Sequence, residues 1–319
     1  MELPTVSLII CSYNQAAYIK EAIEGALAQT YSPIEIIISD DCSSDATFEI
    51  IEDTVSRYSG PNTIVVNRNS QNLGLIEHVN KVFEMATGDL VVGSAGDDIC
   101  LPDRIETLVK LYNQREGRPT LFHGNVLKID PDGQDVGLLK ASWGTGPVDL
   151  VDSAMKGSLY IGASSAFTRS LLNSFPPIRF KNAYEDLVWG FRAALIGAVV
   201  YVDGAFVKYR VGVGISWAAS QKNSTTLYEF LEQKKAKRLV FIDVFSQRLL
   251  DLDHVTPSHN YKAIRNKILE KKLKNEIDYL LIESPLKALR HGWMHPLLVA
   301  SRYYALQKVK VRFNRKRQS

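Results

Sequence analysis

Short, continuously apolar runs alternate with helix-period segments through the first hundred residues, and that alternation restricts the fold more than any other feature. Val6–Cys11 (VSLIIC) has the length and apolar content of a buried strand, and the spacing of Ile19, Ala22, Ile23, Ala26 and Leu27 then predicts a helix within Ala16–Gln29. The unit recurs. A strand at Ile34–Ser39 precedes a helix opened by the Ser43-Ser44-Asp45 cluster, with Phe48, Ile51, Val55 and Tyr58 inward. A strand at Thr63–Asn67 precedes a helix carrying Ile76, Val79, Phe83 and Ala86, and a strand at Asp89–Gly93 leads to a helix with Pro102 near its first position. Strands apolar on both faces and separated by helices imply an α/β fold with a doubly wound, mostly parallel sheet. Ligands of such sheets bind beyond the carboxyl ends of the strands.

Carboxylates collect at those ends. Asp40 and Asp41 directly follow the second strand, and Asp97 and Asp98 follow the fourth after Ser94-Ala95-Gly96. Single aspartates in such loops serve as caps and turn formers, which suits Asp40, Asp45 and Asp103. Two pairs converging from different loops destabilise one another unless a cation or an array of donors compensates. After the first strand the sequence is Cys11-Ser12-Tyr13-Asn14, without the G-x-G-x-x-G of a dinucleotide fold, and no P-loop motif occurs. A nicotinamide dehydrogenase and a P-loop nucleotidase are thereby excluded in their usual forms. A diphosphate here needs a divalent metal on carboxylates, since hard oxygen ligands suit Mg2+ or Mn2+.

Five motifs in order, VSLIICSYN at 6–14, EIIISDDCSSD at 35–45, NLG at 72–74, ATGD at 86–89 and GDDICLPDR at 96–104, resemble those of the inverting family-2 glycosyltransferases with the Rossmann-like GT-A fold. The likeness is dense over residues 4–110, sparser to about 216, and lapses beyond. It implies that Tyr13 stacks on the nucleotide base, that Asp41 accepts a hydrogen bond from the base N3–H, and that Asp97 and Asp98 occupy the D-x-D element that binds ribose and metal. That hydrogen exists in uracil and thymine and not in cytosine, so a UDP- or dTDP-sugar donor is favoured. The implied nucleotide-binding set is Cys11, Tyr13, Asp41 and Asp97, with Asp98 as direct ligand of Mn2+ or Mg2+. Ala95 departs from the family by replacing the first aspartate of that element, and Cys11 stands where proline is common.

A nucleotide-sugar half is expected over 1–105 and an acceptor half over 106–219. In the latter, Tyr184-Glu185-Asp186 opens a helix whose buried stripe reads Leu187, Phe191, Ala194 and Leu195. Acids in a first turn are favoured by the helix dipole alone, by about 0.3–1 kcal/mol each, so the pattern leaves structural and chemical roles open. The resemblance assigns the catalytic base to this pair, Asp186 first and Glu185 in reserve. Strands at Val199–Val202 and Gly204–Arg210 follow, then Tyr209-Arg210-Val211-Gly212, in which glycine replaces the histidine of the family's Tyr-Arg-x-His and removes its metal ligand. The Gly212/Gly214 segment suits a plain loop or a flap over the donor. Trp143, Trp189 and Trp217 are candidates for a sugar-stacking platform, Trp189 foremost. His78 and His123 read as core or rim histidines; His291 and His295 are spaced i, i+4, but Pro296 follows and no third metal ligand accompanies them.

The formal charge of +3 conceals a division: residues 1–219 carry 17 basic and 26 acidic side chains, and 220–319 carry 21 and 9. Helices are expected at Tyr228–Leu250 and Tyr261–Ile282, and after Glu283 nine basic and no acidic residues reach Ser319, interleaved with Trp293, Leu297, Leu298, Val299, Tyr303, Tyr304 and Leu306. Unopposed positive charge beside apolar and aromatic side chains suits an anionic membrane surface, contacted through residues 286–319. No nucleic-acid partner is expected, because no binding module accompanies the charge. Cys11, Cys42 and Cys100 form no C-x-x-C pair, the N-terminus lacks a signal-peptide pattern, and no apolar run approaches the ~18 residues of a membrane span. The expected location is cytoplasmic, peripheral on the cytoplasmic face of a membrane. The expected function is inverting transfer from a UDP- or dTDP-sugar to a saccharide or lipid-linked acceptor, in cell-surface polysaccharide or glycolipid synthesis. The alternative is a non-catalytic GT-A protein that binds a protein partner.

Overall fold

The computed structural model describes residues 3–143, 146, 148–156, 159–214, 226–255, 261–291 and 295–315. Trp217 and Trp293 lie outside the described residues. The alternation takes shape as β1 (Val6–Ser12), α1 (Ile19–Leu27), β2 (Glu35–Asp40), α2 (Thr47–Ser56), β3 (Thr63–Arg68), α3 (Leu75–Met85), β4 (Leu90–Ala95), β5 (Ile99–Cys100) and α4 (Arg104–Gln114). The chain continues through β6 (Leu121–Ile129), β7 (Asp135–Leu139), α5 (Leu150–Met155), a 3-10 turn at Gly162–Ser164, β8 (Ala166–Thr168), α6 (Arg169–Leu172), α7 (Glu185–Leu195) and β9 (Val199–Arg210).

Among the described residues one nine-stranded sheet has the order β3-β2-β1-β4-β8-β6-β9-β5, with β7 attached to β6. β3, β2, β1 and β4 are mutually parallel, β8 is antiparallel to both β4 and β6, and β9 is parallel to β6. Strand order reverses at β1, which has β2 on one side and β4 on the other. A ligand crevice therefore opens beyond the ends of β1 and β4.

The two-faced strands divide the interior. Leu8, Ile10, Ile36 and Ile38 face a core closed by Ile19, Ile23, Ile51, Ile105 and Leu108 of α1, α2 and α4. Ile9 and Ile37 face the opposite core, closed by Ile76 and Val82 of α3 and by Leu187, Val188 and Phe191 of α7. Helices thus cover both sheet faces, which is why the strands show no apolar/polar alternation.

Element edges differ from the sequence expectation where side chains bond loops. The Ser43–Asp45 cluster does not cap α2: Ser43 donates its backbone N–H to Asp40 at 2.9 Å, and Asp45 accepts from the Thr47 N–H at 3.0 Å and the Ala16 N–H at 3.1 Å. The loop between β1 and α1 is tied to this cluster, so α1 begins only at Ile19. The two strands expected around Asp203 form one strand, because a register shift against β6 near Gly124 and Asn125 absorbs the irregular residues. Gly124 permits this: a Cβ there would stand 2.9 Å from the Val202 carbonyl oxygen.

Four further helices follow: α8 (Leu227–His254), α9 (Tyr261–Glu283), α10 (Pro285–His291) and α11 (Pro296–Arg315). The first opens on a capping box between Thr226 and Glu229. It is no solvated tail, for Val244, Phe245 and Leu252 join the core under α7, as do Ile264 and Ile268 of α9. Ile277, Leu281, Ala288 and Val299 make a separate small core among α9, α10 and α11. Among the described residues no helix is long and apolar enough to cross a membrane. Phe245→Ala should destabilise the protein by about 3–5 kcal/mol, whereas Tyr228→Ala, at a side chain 73% exposed on the same helix, should change stability by no more than about 0.5 kcal/mol. Urea denaturation of the two variants checks the difference.

Candidate active site

Parallel register sets the strand ends level. Cys11 pairs with Ser39 of β2 and Ala95 of β4, so the loops carrying Tyr13, Asp41 and Asp97 leave the sheet side by side. The Asp41 N–H donates to the Ser12 carbonyl at 2.9 Å and the Gly96 N–H to the Cys11 carbonyl at 3.0 Å. Gly96 passes so near α1 that a Cβ would lie 2.9 Å from Ile19 Cδ1 and 3.0 Å from Ser12 Cβ. Glycine is what allows the loop to drop Asp97 and Asp98 into the crevice.

Asp41 is buried and fixed. Its Oδ1 accepts from Asn69 Nδ2 at 2.8 Å and the Leu73 N–H at 2.9 Å, and its Oδ2 accepts from the Gly74 N–H at 2.9 Å. The NLG motif thus supplies two backbone donors that hold a carboxylate at the end of β2. Asp40, its neighbour, instead serves the loop through Ser43, as the cap reading expected. Tyr13 stands at the rim, 38% exposed. Cys11, near the end of β1, is half-buried; burial, then Glu185 and Asp41, push its thiol up to about 12, which keeps it protonated.

Asp98 is buried and Asp97 half-buried. Burial raises Asp97 above the usual carboxylate range, and burial followed by the charge of Asp97 raises Asp98 well above it. Asp98 Oδ1 accepts the Arg210 N–H at 2.9 Å. The Arg210 guanidinium donates to the carbonyls of Asp97 (3.1 Å), Asp130 (3.1 Å) and Pro131 (2.9 Å), pairs with Glu21 at 2.6 Å, and lies over the Tyr18 ring. Gly214, at φ +80°, passes over Asp97: a Cβ there would stand 2.6 Å from Asp97 Oδ2.

α7 presents the second acidic pair in its first turn. Glu185 and Asp186 are half-buried, and α7 is buried around more of its circumference than the predicted stripe, with Val188, Trp189, Arg192 and Ala193 inside and Ala194 and Leu195 only partly covered. Burial, then Glu185, pushes Asp186 up to about 8, partly opposed by the Leu187 N–H and Arg248; burial raises Glu185 as well. The Tyr209 phenol is pushed up by burial and by Asp98, Asp97 and Asp186 together, so carboxylates from both halves of the sheet share one electrostatic environment. Cys11, likewise, feels both Glu185 and Asp41.

Among the described residues no group of three or more His, Cys, Asp and Glu side chains could hold a metal ion. Two adjacent carboxylates, Asp98 buried and raised by the charge of the half-buried Asp97, nonetheless match the donor set of a Mg2+ or Mn2+ ion that takes its other ligands from a diphosphate and water. Gly212, at φ +90°, packs toward Pro131 and supplies no side chain. Neither of the two described candidate tryptophans offers a platform: Trp189 is buried among Phe83, Phe167 and Phe175, and Trp143 packs against His123. His78 and His123 are buried as expected, the former 2.7 Å from Ser39 Oγ. His291 contacts Glu276 at 3.1 Å. Arg104, Arg210 and Arg248, which surround the acids, carried no role in the sequence reading. Arg104 and Arg210 sat inside quoted motifs, while Arg248 was counted among the basic residues of the tail.

Residues 7–172 match the model of glycosyl transferase family 2. Glu185 and Asp186 lie beyond that match. An uncharacterized glycosyltransferase of Haemophilus influenzae is 32% identical over 218 residues, 65% of this chain and 66% of that protein. The chain spans only 22–40% of the length of other curated relatives. S. aureus TarS 1-349 in complex with UDP-GlcNAc superposes with a TM-score of 0.57 at 15% identity, covering 98% of this chain and 92% of TarS 1-349. Mannosyltransferase PcManGT from Pyrobaculum calidifontis, in complex with GDP-Man and Mn2+, superposes with a TM-score of 0.54 at 18% identity, covering 98% and 84%. These likenesses, together with the sheet order, identify the fold as GT-A, and the family match over more than half its length makes the chain a member of glycosyl transferase family 2.

Proposed function

We propose that this protein is an inverting, metal-dependent glycosyltransferase that moves a sugar from a UDP- or dTDP-sugar to an acceptor hydroxyl in cell-surface polysaccharide or glycolipid synthesis. The observation that carries the reading is the meeting of Asp97, Asp98 and Asp186, from opposite halves of the sheet, around Tyr209. The nucleotide complexes of TarS and PcManGT support a nucleoside diphosphate sugar as the donor class. In this reading residues 1–105 bind the donor and 106–219 the acceptor. Tyr13 stacks on the base above Cys11, Asp41 accepts the base N3–H through a lone pair its three internal donors leave free, and Asp97 binds ribose. Bound at Asp98, a Mn2+ or Mg2+ ion would supply charge neutralisation for the diphosphate.

Asp186 takes the proton of the acceptor hydroxyl as its oxygen bonds to the anomeric carbon and the bond from that carbon to the diphosphate oxygen breaks on the opposite face. A base of this kind contributes about 10²–10⁴-fold, and Glu185 is the reserve candidate. A carboxyl pushed up to about 8 accepts a proton only in the fraction that is ionised, so kcat/KM should rise with pH through about 8. Exposed Leu286 (70%) and Leu297 (86%), near nine basic residues and no acid after Glu283, support docking of residues 286–319 on an anionic lipid surface, on the cytoplasmic face.

Mn2+-dependent hydrolysis of a UDP- or dTDP-sugar should disappear in Asp98→Ala and fall about 10²–10⁴-fold in Asp186→Asn; undiminished hydrolysis in Asp98→Ala would overturn the metal assignment, and absence of any turnover in the unaltered protein would favour the non-catalytic alternative. The folded protein keeps a proton on Asp186 between its ordinary value of 3.8 and about 8, while the unfolded chain has released it, so stability should decline as pH rises through that window. Asp186→Asn should flatten that decline in melting curves taken from pH 5 to 9. Anionic liposomes should sediment with full-length protein and not with a 1–285 truncation; equal binding by both counts against the tail contact.

A further inference from the structure

We infer that Arg248, on a helix outside the segment that matches the family, is a positioning residue for the acidic pair of α7, fixing its first turn through the backbone and supplying the positive charge that lets two adjacent carboxylates face one crevice. Asp186 is the reactive member, so the inference rests on the function proposed above.

Arg248 is fully buried, with no solvent to screen it. Among the described residues its guanidinium makes no direct salt bridge. One nitrogen donates to the carbonyls of Ala154 and Lys156, each at 3.0 Å, and another donates to the carbonyl of Leu187 at 2.9 Å. Leu187 is the residue after Asp186, so the bond grips the turn that bears the pair. Phe191 and Phe245 stack their rings against the same group. A guanidinium suits this task better than an ammonium because its planar fork reaches three acceptors and it stays protonated at neutral pH even though burial pushes it down to about 9.

The electrostatic surroundings identify Arg248 as the one cation acting on Asp186 with appreciable strength among the described residues. Asp186 is faced by Glu185 on its own helix, Arg248 from α8, Tyr160 from the segment before the 3-10 turn, Tyr184 at the helix cap and Tyr209 from β9, while Cys11 of β1 faces Glu185. Asp251, one turn along α8, also acts on Arg248, yet it accepts its hydrogen bonds from Arg192 at 2.9 Å and Gln247 at 2.9 Å. The two terminal nitrogens of Arg248 donate to carbonyls, its buried Nε finds no hydrogen-bond partner among the described residues, and no hydrogen bond runs from it to Asp186, so both Asp186 oxygens stay free of it. The charge acts across space and leaves the carboxylate open to a substrate proton.

The test is the protonation midpoint of Asp186 in full-length protein without ligand, read by carbon-13 NMR of the aspartate carboxyl groups and assigned by the signal lost in Asp186→Asn. Arg248→Gln keeps hydrogen-bond donors and removes the charge; Arg248→Lys keeps the charge and loses the fork. The Gln variant should raise the midpoint by about one unit or more, leaving about tenfold less ionised carboxylate at a fixed pH below it, and the Lys variant should stay within about half a unit of the parent. A folded Gln variant with an unchanged midpoint overturns the inference and makes Arg248 a structural strap only. If the Gln variant does not fold, the Lys variant decides, and an upward shift of more than about one unit there overturns it. A midpoint shift in the Gln variant with no parallel loss of kcat/KM for the UDP-sugar at pH 7 would leave the inference standing and reject Asp186 as the base.

Discussion

Repulsion among carboxylates gathered at one crevice is the constraint to which much of the structure responds. Asp41, Asp97, Asp98, Glu185 and Asp186 arrive on two loops and a helix, and burial pushes four of them toward the protonated form. The fifth, Asp41, is held by an amide side chain and two backbone N–H groups. Asp97, Asp98 and Asp186 are answered by buried guanidiniums. Arg104 donates to the carbonyls of Gly93, Ala163 and Ser165, Arg210 to those of Asp97, Asp130 and Pro131, and Arg248 to those of Ala154, Lys156 and Leu187. None of the three forms a direct side-chain pair with an aspartate of the crevice. Positive charge is thereby fixed near the acids by the backbone, and carboxylate oxygens remain available to a ligand.

This arrangement gives the regions beyond the parallel strands a purpose. β9 brings Tyr209 and Arg210 to the end of the sheet, and the glycines after it let the chain pass over Asp97. α8 carries Arg248 and Asp251 beneath α7, where Asp251 pairs with the buried Arg192, itself stacked on Trp189. A buried ion pair is weak evidence of net stability, since desolvation opposes the attraction. Its place here is geometric: with the aromatic cluster around Trp189 it holds α7 against the sheet.

The parallel half was legible at low resolution because its signals are local. Apolar runs, helix spacing and motif order located β1 to β4 and α1 to α4 within a few residues, though not the two-residue β5, whose partner β9 lies far along the chain, and the acids at the strand ends followed from topology. Missed features involve partners distant in sequence. Trp189 reads as a surface candidate beside an acid, yet Phe83, Phe167 and Phe175 enclose it. Arg248 reads as one more cation in a basic helix, and only the packing of α8 under α7 removes it from water. The break expected at Asp203 is absorbed by a register shift that no pattern within β9 encodes.

By itself the sequence determined the α/β alternation, the two-faced strands, the carboxylates beyond their ends and the unequal distribution of charge, because each depends on residues close together along the chain. Tertiary structure decided which acids face one another, which are compensated, and that the first helix of the basic region belongs to the body. Those outcomes depend on burial and on distances across the sheet. Desolvation turns a carboxylate or guanidinium from an ordinary surface charge into one whose state its neighbours control.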